Sequence, residues 1–225
     1  MRRFTVTFGI FVLVVSSSLF SQNVYIQDKR IFQENDCFKI EISYPSIESS
    51  KFIFLNREIT SNINSVISQV RSESICEELK QFNEDFKAEG FVSYSVCFEN
   101  NRLISFYIDY YTFLGGAHGM SVKKGYSLDK KLGKVLKLND LFAENYDYKT
   151  VINDFIYKEI ETKKALFFDE DFKGINPDTE FYIEDNCIVI YFQLYEIAPY
   201  STGFPTFKIP LEKFGNGYSY KIEEK

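Results

Sequence analysis

The chain has a single histidine, His118, and it stands in the run Gly115-Gly-Ala-His-Gly119. Consecutive glycines allow a sharp turn or a close approach of the backbone to a partner. An imidazole set in such a turn can act as a general base or as a ligand contact. The plainer alternative is a tight connection whose histidine hydrogen-bonds a neighbouring strand. No phosphate loop is present, since neither Gly-x-x-x-x-Gly-Lys-Ser/Thr nor Gly-x-Gly-x-x-Gly occurs. A serine triad would have to use His118, and the chain has no Gly-x-Ser-x-Gly elbow. Hydrolytic zinc sites commonly draw on two or three histidines. A carboxylate pair of the glycoside-hydrolase kind stays open, because acidic residues are plentiful. Glu196, at the end of an apolar run and beside a loop, is the carboxylate that would partner His118 in acid–base chemistry. Its alternative role is to cap the amides of its own loop.

The segment Tyr195-Glu-Ile-Ala-Pro-Tyr200-Ser-Thr-Gly203-Phe-Pro205 combines rigid prolines, a glycine and aromatic rings. A loop tyrosine gives contact area at low entropic cost, so Pro199 and Tyr200 are candidates for recognition; packing into the core is the alternative. Asp169, Asp171, Gly174 and Glu180 have the spacing of a calcium loop. Lys173 stands where an oxygen ligand belongs and Pro177 strains the loop, which favours a solvated turn. No metal and no cofactor are expected. The cysteines Cys37, Cys76, Cys97 and Cys187 admit three pairings. The sequence does not decide between one disulfide and none, and singles out no pair. Cys97 and Cys187 sit in apolar alternation, as buried thiols often do. Without a Cys-x-x-Cys, thioredoxin-like chemistry is excluded.

The elements that must position these residues follow from periodicity. Residues 38–44 alternate apolar and polar as a half-buried strand that Pro45 stops. Ile59, Ile63, Val66, Ile67 and Val70 fall at helical spacing, and Ile75, Leu79, Phe82 and Phe86 continue it. The pattern predicts one long helix, or two broken near residues 72–74, ending with Gly90 in a C-cap position. Strands follow at 91–99 and 102–113 around an Asn100-Asn101 turn, then a second hairpin, 121–129 with 134–138. Asn139 and Asp140 are helix-start residues, and Val151, Ile152, Phe155, Ile156 and Ile160 mark a helix lasting to about Phe168. Residues 181–183 and 187–197 read as strands, the second nearly all apolar and therefore central, with a short strand at 207–210. Strands and helices come in blocks. The fold class is α+β, with a mostly antiparallel sheet, one or two long amphipathic helices and two adjoining subdomains, 23–113 and 114–225.

Composition bounds the function. The 225 residues are 45% hydrophobic and 26% charged, enough apolar material for a core and too much for disorder. Phenylalanine and tyrosine supply 18% of the chain, with no tryptophan, which suits sheets with aromatic faces. Arg2 and Arg3, an apolar run from residue 4 to 15 and Ser16, Ser17 and Ser18 have the layout of a secretory signal peptide over residues 1–22. Its removal takes the net charge from −6 to −8, leaving 24 basic against 32 acidic residues. That excludes nucleic-acid binding through phosphate neutralisation. The expected protein is exported, periplasmic or extracellular, with no transmembrane span after cleavage.

Three ordered motifs carry a resemblance. They are Tyr111-Thr-Phe-Leu-Gly-Gly-Ala-His-Gly119, then Tyr126-Ser-Leu-Asp129 with Gly133-Lys-Val-Leu-Lys-Leu-Asn-Asp-Leu-Phe142, and finally Tyr191-Phe-Gln-Leu-Tyr-Glu-Ile-Ala-Pro-Tyr200 with Gly203-Phe-Pro-Thr-Phe-Lys-Ile-Pro210. They are similar to signatures of the extracytoplasmic domain family shared by the anti-sigma factor RsiV and the N-terminal region of the peptidoglycan deacetylase PdaC. The resemblance covers residues 36–214 and is strongest after Tyr111. It implies an α+β fold in two adjoining parts and, from the RsiV branch, capture of lysozyme outside the cell as a signal for proteolytic release of a sigma factor. Two departures are expected to matter. Only three residues precede the apolar run, leaving no cytoplasmic sigma-binding segment, and a single histidine cannot make the His-x-x-x-His metal motif of such deacetylases. The expectation is an exported, non-enzymatic binding module for a lysozyme-type muramidase or peptidoglycan, with Gly115, Gly116, His118, Glu196, Pro199 and Tyr200 at its surface. The competing expectation is an envelope glycan or peptide hydrolase using His118 and Glu196.

Overall fold

The computed structural model describes residues 24–169 and 172–220. The signal-peptide segment expected at 1–22 lies outside the described residues, as does Asp171 of the calcium-like spacing. Strand β1 (Tyr25–Glu34) pairs antiparallel with β2 (Phe38–Glu48) along its whole length. The Asn35 side chain closes the turn between them by accepting from the amides of Cys37 (2.8 Å) and Phe38 (2.9 Å). Pro45 does not end the strand as expected. On its other side β2 pairs only through Phe38–Ile42, so past that point it is an edge, where a missing N–H costs no ladder bond.

Helix α1 (Ile53–Val70) buries Ile59, Ile63, Val66 and Val70 of the expected stripe, with Ile67 partly buried, and adds Leu55. The break falls where the serines predicted it, and α2 (Glu73–Phe82) follows. The helical reading through Phe86 to a cap at Gly90 is corrected: α2 stops at Phe82, and Gly90 lies inside β3 (Ala88–Glu99), opposite Ile40 and Thr112. Glycine serves there because α1 lies directly over the strand. A Cβ at 90 would sit 3.0 Å from Val66 Cγ1 and 3.1 Å from Val70 Cγ2.

Strand β3 runs parallel to β2, and β4 (Leu103–Phe113), β5 (Met120–Asp129) and β6 (Lys134–Val135) follow antiparallel, giving a six-stranded sheet in sequence order. Every pairing except β2–β3 is antiparallel. Asn139 and Asp140 start only one 3₁₀ turn (Leu138–Leu141). The next helix, α3 (Tyr148–Thr162), is capped by Asp147 and ends before the expected Phe168. Strands β7 (Phe181–Glu184), β8 (Cys187–Tyr191) and β9 (Thr206–Pro210) form a second sheet with β8 central. Strand β8 ends at Tyr191, six residues short of the expected Ile197; beyond it the Phe192 amide donates to Pro205 O at 3.0 Å and the chain turns away at Tyr195, φ 64°.

One core packs α1 and α2 on the first sheet, and a second packs α3 on the second sheet. A polar seam joins the sheets. Tyr191 accepts from the Gly125 amide (2.6 Å), Ile183 N donates to Ser105 Oγ (2.7 Å), and the Gln193 side chain makes reciprocal bonds with the backbone of Lys123. Glu180, the last position of the calcium-like spacing, is engaged here by Lys124, Tyr191 and Gln193. The division expected at 113/114 passes through the β4–β5 pairing, so the first sheet draws strands from both sides of it. Cys37 and Cys76 form a disulfide, Cα to Cα 5.1 Å, while Cys97 and Cys187 are free and half-buried. Among the described residues no helix is long and apolar enough to cross a membrane.

Candidate binding surface

Strand β4 ends at Phe113, and the chain reverses through Gly115 (φ 108°) and Gly116 (φ 87°), backbone values that only glycine adopts without strain. The turn returns against Tyr111, whose ring packs so closely on Gly119 that a Cβ there would lie 2.3 Å from it. This leaves His118 exposed on the rim. Its Nδ1 lies 2.9 Å from Gly119 O and its Nε2 lies 3.1 Å from the Tyr195 hydroxyl. A carbonyl only accepts, so Nδ1 carries a proton, and in the neutral ring Nε2 then accepts from the Tyr195 hydroxyl.

The loop between β8 and β9 supplies the other half. Pro199 leads into a 3₁₀ turn (Tyr200–Thr202) that Gly203 closes at φ 73°. This sets the Tyr200 ring flat against His118, with centroids 3.9 Å apart and planes 19° from parallel. The Tyr200 hydroxyl donates to the same Gly119 carbonyl at 3.0 Å. Tyr195, 48% exposed and at a positive φ that a tyrosine rarely adopts, completes the shelf.

Of the residues expected from sequence, Gly115, Gly116, His118, Pro199 and Tyr200 come together on two facing loops. Glu196 takes the plainer of its two roles: its carboxylate accepts from Gln193 N at 2.7 Å within its own loop. Among the described residues no hydrogen bond or ion pair joins it to His118.

Beside the shelf is a cleft of ≈ 460 Å³ whose lining includes Asp85, Lys87, Glu89, Tyr111, His118 and Tyr200. Burial, then the Glu89 carboxylate, raises the Tyr111 phenol above its ordinary range. A second cleft of ≈ 490 Å³, lined by Leu79, Phe82, Phe86, Phe113 and Leu114, shares Phe86 and Phe113 with the first. Helical spacing predicts Phe82 and Phe86 on the inward face of a helix; in the fold they are 79% and 46% exposed. Asn83 and Asp85, residue types that favour turns over helix interior, are the signal that the helix ends there; the Asn83 side chain accepts from the Asp85 amide at 2.9 Å.

Residues 31–121 match the family model described as deacetylase PdaC, and residues 139–212 match the one described as protein of unknown function (DUF3298). Over 184 residues the chain is 23% identical to the peptidoglycan-N-acetylmuramic acid deacetylase PdaC of Bacillus subtilis, covering 79% of this chain and 38% of that protein. It is 27% identical over 210 residues to the anti-sigma-V factor RsiV of the same organism, covering 83% of this chain and 67% of that one. The resemblance read from the Tyr111 and Tyr191 motifs is thus present in both parts of the chain. Crystal structures of DUF3298 family proteins from Pseudomonas aeruginosa (TM-score 0.59, 17% identity, 87% of this chain and 94% of that) and Bacteroides fragilis (0.59, 16%, 89% and 95%) share the fold. His118 falls within the first matched region and Tyr200 within the second, so the surface forms where the two regions meet.

Proposed function

We propose that the chain is an exported, non-enzymatic binding module for a cell-envelope partner, either a lysozyme-type muramidase or peptidoglycan, held outside the cytoplasm in the periplasm or beyond it. The observation that carries this is the state of His118. Its Nδ1 is bonded within its own turn to Gly119 O, its Nε2 reaches Tyr195 on the facing loop, and the ring face is stacked on Tyr200, which leaves an aromatic shelf and no carboxylate hydrogen-bonded to the imidazole. Tyrosines set on a rigid frame, here the exposed Tyr195 and the half-buried Tyr200, serve as recognition residues. The acidic balance of the chain steers a basic partner such as lysozyme towards it.

The test is titration of the purified protein against lysozyme and, separately, against soluble peptidoglycan strands, at low and moderate salt. The expected result is sub-micromolar binding to one of them, weakened at least tenfold by Tyr200→Ala. Lysozyme binding should fall with salt. Absence of binding to both at tens of micromolar, or wild-type affinity in Tyr200→Ala, would overturn the reading.

A further inference from the structure

The shelf is half of a wider face, and the other half rests on α2. A ten-residue helix is marginal in water by itself. This one buries only Leu79, with Ile75 partly covered, and Cys76 ties its first half to Cys37 at the entrance of β2. What the helix and the residues after it present outward is Phe82 and Phe86, next to Phe113 and Leu114. Single exposed apolar residues are ordinary, but a contiguous aromatic patch rimmed by polar groups marks an interaction site.

The charged rim is mainly acidic: Glu78 lines the cleft of Phe82 and Phe86, Asp85 and Glu89 line the one that shares Phe86 with it, and against them stands Lys87, already paired with Glu34 at 2.9 Å. We infer that Phe82 and Phe86 are the apolar anchors of a docking face for a basic protein, mounted on a helix that the Cys37–Cys76 disulfide holds in place. This rests on the reading that this end of the molecule is its binding end, and it names the chemistry of the partner. Two other occupants fit less well. A second copy in a two-fold contact would set this acidic rim against itself, and an anionic lipid surface would be repelled by it. A basic protein with an apolar centre gains on both counts: the aromatic pair is desolvated while the surrounding carboxylates meet cationic side chains, the arrangement of a hot spot inside a polar ring.

The test uses the full chain and two synthetic amphipathic peptides of equal length, one of leucine and lysine and one of leucine and glutamate. The leucine–lysine peptide is expected to bind, more weakly as salt rises. It should lose at least tenfold in affinity for Phe82→Ser/Phe86→Ser and for Glu78→Lys/Asp85→Lys. Phe54→Ser, an equally exposed phenylalanine on α1, should bind within twofold of wild type. Because Phe82 and Phe86 are exposed, their replacement should leave the unfolding transition in place. Four results would overturn the inference: no binding of the leucine–lysine peptide, equal binding by the double variants, preference for the leucine–glutamate peptide, or Phe82- and Phe86-dependent capture by phosphatidylcholine vesicles instead. Failure of the envelope-partner reading shows separately, as wild-type protein that ignores lysozyme and peptidoglycan strands whatever the peptides do.

Discussion

The imidazole of His118 lies on the ring of Tyr200 at 3.9 Å, and both residues hydrogen-bond one acceptor, the carbonyl of Gly119. The contact fixes the β4–β5 turn against the β8–β9 loop, so each residue's loss should be felt at the other. Tyr200→Phe keeps the stack and loses one bond, while Tyr200→Ala loses both. Urea unfolding should show the alanine variant destabilised by about 1–2 kcal/mol and the phenylalanine variant by about half of that. Equal effects would mean that the stack contributes nothing.

Gly125 lies beneath the seam between the sheets, where a Cβ would stand 2.6 Å from the Phe181 carbonyl oxygen. Backbone cannot swing aside as a side-chain tip can. Gly125→Ala should therefore cost about 1–3 kcal/mol. It should also reduce the near-ultraviolet circular dichroism of the tyrosines at the seam while leaving the far-ultraviolet spectrum unchanged.

Asp129 is fully buried. Burial alone would raise its pKa, but the Leu132 amide, the Tyr220 hydroxyl and Arg102 together hold it below the ordinary carboxylate range. A folded pKa below the unfolded one gives stability that is present above the unfolded value and lost as pH falls through the folded one. Denaturant midpoints should therefore drop below about pH 4, the unperturbed aspartate range. Asp129→Asn should be less stable at pH 7 and show a flatter acid limb. An unchanged acid limb would assign the loss to other carboxylates.

The disulfide spans a sequence separation of 39. On chain-entropy grounds its removal by Cys37→Ser/Cys76→Ser should cost up to about 4 kcal/mol. Thermal unfolding of the variant beside the oxidised protein measures this, and mass spectrometry of the oxidised protein checks that Cys97 and Cys187 remain free.

Burial raises the Cys97 thiol to about 11, with the Glu184 carboxylate adding to it. The thiolate is the reactive form. Iodoacetamide at pH 8 should alkylate Cys97 slowly in the folded protein and at the ordinary rate in denaturant, read by peptide mass spectrometry.

Much of the frame could be read from residue spacing. Ile59, Ile63, Val66 and Val70 announced α1, and Asn100, whose side chain accepts from the amides of Arg102 and Leu103, announced the β3–β4 turn. Strand β1 escaped notice because it is an edge with little buried on either face, which erases the alternation that marks a strand. Gly90 misled because a glycine at a helix end and a glycine beneath a crossing helix look alike in sequence. The candidate site was legible at His118 and Tyr200, where residue type and loop context agreed. It was not legible at Phe82 and Phe86, because helical periodicity assigns a face without saying whether anything covers it.

The doubly used carbonyl of Gly119 has a consequence for descent. The imidazole stands in one matched family region and the phenol in the other, and neither region holds this surface alone. A gene that kept only one of the two would inherit half a contact face with its partner loop missing. The His118–Tyr200 contact therefore exists only in a chain that carries both regions.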